Sequence, residues 1–168
     1  MLVAINEIAA VQSKPTQETL NKIQMLLDYV ATYPNTIQRF HKSDMVLHVD
    51  SDAAYLVQQN ARSRIAGTYI LSSQPTSTLH PSVRQHNTPI HVECKTLRHV
   101  VASSAEAETG ALFHNAQNII AFRQALECLG HKQPPTPLKT DNSTACGYVN
   151  KNIKIKKSKS WDMRYHWL

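Results

Sequence analysis

The spacing of the hydrophobic residues changes once along this chain, and the change limits it to a fold that combines helix and sheet. Over residues 16–33 (TQETLNKIQMLLDYVATY), Leu20, Ile23, Leu27 and Val30 recur at steps of three and four, the period of one helix face. Pro15 and Pro34 bound that run. From residue 45 the period becomes two, with Met45, Leu47 and Val49 alternating with Val46, His48 and Asp50 as in a strand. A new domain is therefore expected to start at residue 45. Residues 1–44 form an N-terminal extension with one amphipathic helix behind a loose segment. One helix cannot bury its own stripe, so this face is expected to pack on the main domain or to drive self-association.

The runs at 67–71 (GTYIL), 90–94 (IHVEC) and 97–101 (LRHVV) have the β-branched and aromatic content of short strands. The stretch 72–89, rich in Ser, Thr, Pro and His, reads as a surface loop. Ser103 and Glu106 have capping-box spacing. Behind them Leu112, Ala116, Ile119, Arg123, Leu126 and Leu129 follow helical steps, so a helix is expected over 104–129, ending at Gly130. Pro134, Pro135 and Pro137 then stiffen a linker, 138–141 reads as a brief strand and 142–150 as a short helix. Strands, a long helix, then strand and helix predict an α/β domain with a mixed sheet over residues 45–168.

Composition removes several classes. No apolar run approaches the roughly 18–20 residues needed to span a bilayer, and 18% charged residues with 42% hydrophobic ones do not describe a disordered chain. The N-terminus MLVAINEIAAVQSKP lacks the basic start and long apolar core of a secretory signal, so an intracellular location is expected, in cytoplasm or nucleus. Cys94, Cys128 and Cys146 are odd in number and form no CxxC pair, which argues against a disulfide framework and against a Cys-based zinc site. Of 18 basic side chains, six fall in residues 151–164 with a single acid, and the chain carries a net charge of +6. A polyanion is the first partner this distribution points to, beside the alternative of a solvated basic tail.

With only 12 acidic residues, their positions are informative. Asp52 follows an apolar strand, Glu108 lies one helical turn before Leu112, Asp141 stands at the carboxyl end of a strand, and Asp162 is alone in the basic stretch. Each also has an ordinary structural role open to it, as strand terminus, helix-start acid, N-cap or surface charge. If they converge, mutual repulsion requires a divalent counter-charge. Carboxylate oxygens are the ligands Mg²⁺ prefers, and two such ions about 4 Å apart suit phosphodiester hydrolysis.

The strings VDSDAAYLV (49–57), ARSRIAG (61–67), ECKTLRHVVASSAEAETGALFHNAQ (93–117), LGHKQPPTPLKTDNSTACGYVN (129–150) and KSKSWDMRYHWL (157–168) closely resemble the ribonuclease H domain of copia-type retrotransposon polyproteins. Residues 1–44 resemble the segment that connects the end of the reverse transcriptase to that domain. The resemblance implies a ribonuclease H-like mixed five-stranded sheet flanked by helices, and cleavage of the RNA strand of RNA–DNA hybrids. It places the catalytic carboxylates on Asp52 (S-D-A), Glu108 (the second acid of AEAE, with Glu106 as runner-up), Asp141 (T-D-N) and Asp162 (S-K-x-x-D-M-R-Y).

In that scheme Asp52 bridges two Mg²⁺ ions, with Mn²⁺ as an alternative metal. Glu108 and Asp141 each hold one ion, and Asp162 completes the second site. The 2′-hydroxyl and A-form shape of the hybrid would mark the strand to be cut. Lys154, Lys156, Lys157 and Arg164 are the candidates for phosphate contacts. No adjacent Asp pair occurs, so the polymerase site of such a polyprotein is absent from this chain, and a reverse transcriptase domain is an expected partner. The opposing expectation is an inactive retrotransposon remnant that folds and binds nucleic acid without cutting it. His48, His99 and His114 show no metal-ligand spacing and are expected to be structural.

Overall fold

The computed structural model describes residues 1–73 and 87–153. The chain divides into two compact units, Met1–Arg39 and Phe40–Leu168. The first contains two helices, α1 (Leu2–Ala10) and α2 (Gln17–Thr32), against the single helix expected. Nothing in residues 2–10 announces α1, which lacks a side-chain cap, an acid in its first turn and a base in its last. Thr16 caps α2 by accepting from the Thr19 N–H, while the Thr19 hydroxyl accepts from the Thr16 N–H. Within this unit Leu20, Leu27 and Val30 are exposed and Ile23 is half-buried.

The second unit is an α/β domain with a mixed sheet. Its strands are β1 (Val46–Gln58), β2 (Arg62–Ser72), β3 (Pro89–Thr96) and β4 (Leu138–Lys139), in the order β3-β2-β1-β4. β1 pairs antiparallel with β2, β2 antiparallel with β3, and β1 parallel with β4. Four strands stand among the described residues where five were expected. The run 97–101, expected as a strand, forms a loop. Its apolar character has another cause: Leu97 and Val101 are buried in a cluster with Ile65, Ala107 and Ala111, and Leu97 is tied down by its N–H to the Ser63 carbonyl.

Helix α3 (Ser104–Cys128) starts where Ser103 Oγ accepts from the Glu106 N–H, and it ends at Gly130, whose φ of +91° closes the terminus. Leu129 is exposed past the helix end and does not continue the apolar face. α3 runs back along β1. Ile119 and Leu126 pack with Leu47, Val49, Tyr69 and Leu71 in the main core, each such side chain contributing on the order of 1.5–3 kcal/mol by burial.

The helix is seated by Asn115, which is 1% exposed. Its amide donates to Ser51 Oγ (2.9 Å) and to the Ala66 carbonyl (2.9 Å), and its Oδ1 accepts from the Tyr69 hydroxyl (2.9 Å). Burial pushes the Tyr69 phenol up to about 12, with a further push from the Glu93 charge against the pull of the Asn118 hydrogen bond, so it remains a donor. Gly67 makes room for this contact: a Cβ there would lie 2.2 Å from Asn115 Oδ1.

His114 joins a hydrogen-bonded group between α3 and β3. Its Nε2 lies 2.7 Å from Glu93 Oε2, which also accepts from Asn118 Nδ2 at 2.7 Å, while Lys95 pairs with the other Glu93 oxygen. Burial raises the Glu93 pKa, but the Lys95 and His114 partners outweigh it and hold the carboxyl below its ordinary value. α4 (Ser143–Val149) is capped by Asn142 Oδ1, which accepts from the Ala145 N–H, and packs on α3.

A Gly67→Ala substitution is expected to destabilise the domain by about 1–3 kcal/mol or more, because the displaced atom is the oxygen of a saturated buried amide. Urea unfolding, with an alanine change at the exposed and half-buried positions of α3 as reference, measures it.

Candidate metal centre

Three elements distant in sequence bring three carboxylates together. Asp52 lies at the midpoint of β1, opposite Ala66 of β2; Glu108 lies in the second turn of α3; Asp141 follows β4 after Thr140. One carboxylate oxygen from each lies within 4.8 Å of the other two. Asp52 and Asp141 are exposed, whereas Glu108 is only 3% exposed. The group therefore has a buried floor and two solvent-facing sides.

Helix rotation places Glu108, and not Glu106, beside the other two acids. Two residues turn a helix by about 200°. The Glu106 carboxylate points back to the helix start, where Oε2 accepts from the Ala102 N–H at 2.7 Å. Glu108 reaches the sheet: Oε1 accepts from the Ala53 N–H at 3.1 Å and Oε2 from the Thr140 hydroxyl at 3.2 Å. Its two donors adjoin the other two carboxylates in the chain, Ala53 after Asp52 and Thr140 before Asp141. Thr140 stands in the T-D-N string, yet no linear spacing reveals that its hydroxyl meets an α3 side chain.

The position of Asp141 depends on the linker before it. Val49 donates its N–H to the Pro137 carbonyl at 3.0 Å, and β4 adds two paired residues. Gln133, 6% exposed, accepts from the Leu47 N–H and donates to the Met45 carbonyl. Arg123 of α3 donates to the carbonyls of Gln133 and Pro134 and to Thr136 Oγ1. Two side chains thus do for this linker what a longer strand would do by ladder hydrogen bonds.

Burial pushes the Glu108 carboxyl up from its ordinary 4.5 to about 7, and the charges of Asp52 and Asp141 add to the rise against the two hydrogen bonds. Such a group is strained when all three acids are ionised, and it relaxes with a proton or a cation. Three oxygen donors around a charge-deficient point fit a hard divalent cation such as Mg²⁺ or Mn²⁺ and do not fit a soft metal. Asp162 and the proposed phosphate contacts Lys154, Lys156, Lys157 and Arg164 lie outside the described residues, as does most of the 72–89 loop.

The raised Glu108 pKa fixes a sign. Between its ordinary value and about 7 the folded chain holds a proton that the unfolded chain has released, so this group's contribution to stability falls as pH rises through that window. Without divalent cations, the wild type is expected to lose more Tm than Glu108→Gln between about pH 5 and pH 8. Added Mg²⁺ should raise the wild-type Tm more at the higher pH. Thermal unfolding at several pH values measures both effects.

No family model, no curated protein and no solved structure matches this chain.

Proposed function

We propose that this chain is a divalent-cation-dependent nuclease of the ribonuclease H type that cleaves the RNA strand of RNA–DNA hybrids. The observation that carries the reading is the convergence of Asp52, Glu108 and Asp141, with ligand oxygens within 4.8 Å, on residues separated by 33 or more positions. The mixed sheet, with α3 packed along β1, is compatible with a ribonuclease H-like fold. The positions are also the ones to which the copia-type resemblance assigns the first three family carboxylates. A net charge of +6 suits a polyanionic substrate.

Asp52, Glu108 and Asp141 would hold the cation, with Asp162 as a further ligand and two Mg²⁺ ions as the full complement. Bound ions supply positive charge that activates a water and offsets the charge on the leaving oxygen. The chain's own residues set the frame for this chemistry. Asp52 and Asp141 present their carboxylates toward solvent, where a phosphodiester can approach. Glu108 closes the inner side, and its bonds to Ala53 and Thr140 keep it aimed between the other two acids. Lys154, Lys156, Lys157 and Arg164 would hold phosphates without reading bases, so sequence preference is slight and binding weakens with salt. A reverse transcriptase domain is the proposed partner in a longer polyprotein.

The test is cleavage of an end-labelled RNA–DNA hybrid by the purified chain with Mg²⁺, and with Mn²⁺ in parallel. Asp52→Asn and Asp141→Asn are each expected to lower the rate by at least about 100-fold while leaving the far-UV circular dichroism unchanged. A wild-type chain that binds the hybrid in a salt-dependent way yet leaves it intact with either metal would overturn the enzyme reading in favour of an inactive remnant.

A further inference from the structure

We propose that Thr140 is a positioning residue that sets cation affinity at the carboxylate group by fixing the orientation of Glu108. The inference rests on the reading of Asp52, Glu108 and Asp141 as a cation site and goes beyond it, because Thr140 carries no charge and is not itself a ligand. The Thr140 hydroxyl has one proton to give. Its oxygen accepts from the Asn142 N–H at 3.3 Å, which turns the proton toward Glu108 Oε2 at 3.2 Å. The Ala53 N–H occupies the other Glu108 oxygen at 3.1 Å. Each oxygen is thereby held by one donor and keeps lone-pair capacity for a cation.

The terminal torsion of a glutamate is broad, so a carboxylate held at one oxygen still swings. Two donors, one on each oxygen, remove that freedom. They also oppose the repulsion that would turn Glu108 away from Asp52 and Asp141. Because Thr140 directly precedes Asp141, the same bond ties the α3 ligand to the segment bearing the third ligand. Loss of such an outer partner typically weakens metal binding 10–100-fold.

The experiment uses the full chain with Mn²⁺ as the probe, free ion being followed by electron paramagnetic resonance, in wild type, Thr140→Ser and Thr140→Val. The valine variant keeps the shape and removes the donor. It is expected to weaken Mn²⁺ binding about tenfold or more, whereas the serine variant stays within about twofold of wild type. In hybrid cleavage, the Mg²⁺ concentration for half-maximal rate should rise by a similar factor in the valine variant, with a smaller loss at saturating Mg²⁺.

Should the valine variant fail to fold by circular dichroism, Thr140→Ala is measured in its place, with the same expectation. Unchanged Mn²⁺ affinity in a folded variant lacking the hydroxyl overturns the inference, as does a serine variant as impaired as valine. Loss of fold in both hydroxyl-free variants overturns it too, since Thr140 would then serve the fold and not the ion. A wild type that binds no Mn²⁺ removes the cation-site reading along with it. A wild type that binds and cleaves beside an unimpaired valine variant removes only the role of Thr140.

Discussion

The second unit is organised by how closely α3 approaches the sheet at one point. At Gly67 the strand offers no side chain, and the Asn115 amide fills the space, bonding to Ser51, Ala66 and Tyr69 from three directions. A hydrocarbon could occupy that volume but could not specify rotation and height together. The amide does both, because sliding or turning the helix breaks several buried bonds at once. Glu108 lies seven residues before Asn115, about two turns away on the same face. The seat of Asn115 over Ser51 therefore delivers Glu108 to Ala53, two residues further along β1. The geometry of the carboxylate group is inherited from a neutral amide some distance inside the core.

Much of this is legible in the linear chain. The alternation through Leu47 and Val49 marks β1, and Ser103, Glu106 and Gly130 bracket α3 to within a residue or two. The three junction carboxylates stand out because acids are few. What the chain conceals follows from physical ambiguity. The run Leu97–Val101 has strand chemistry, but its apolar Leu97 and Val101 serve equally well to plug a loop into a core. α1 has none of the capping or charge signals by which a helix start is read. Glu106 and Glu108 are indistinguishable by spacing until the helix is rotated onto the sheet, which depends on Asn115. Thr140 carries no signature because its importance lies in the partner it meets.

The strands are tied to one another very unevenly. β1 and β2 share a long antiparallel ladder, interrupted between Ala54 and Gln58, where Leu56 takes a φ of +53°. The partnership of β1 with β4 extends over two residues. Gln133 and Arg123 make up the deficit, Gln133 by gripping the Met45 and Leu47 backbone and Arg123 by holding the Gln133 and Pro134 carbonyls and the Thr136 hydroxyl. Polar side chains here perform a task usually left to the main chain, and the three prolines limit how far the segment can wander if the grip slackens.

That imbalance gives the carboxylate group one stiff wall and one compliant wall. Asp52 and Glu108 are mounted on the long ladder and the seated helix, whose disruption approaches global unfolding. Asp141 hangs from a strap fastened by a handful of bonds, and such segments open at far lower cost than the body of a domain. An ion that this group could hold would then be met by yielding on a single side, whatever its radius, while the opposite side keeps its bearings.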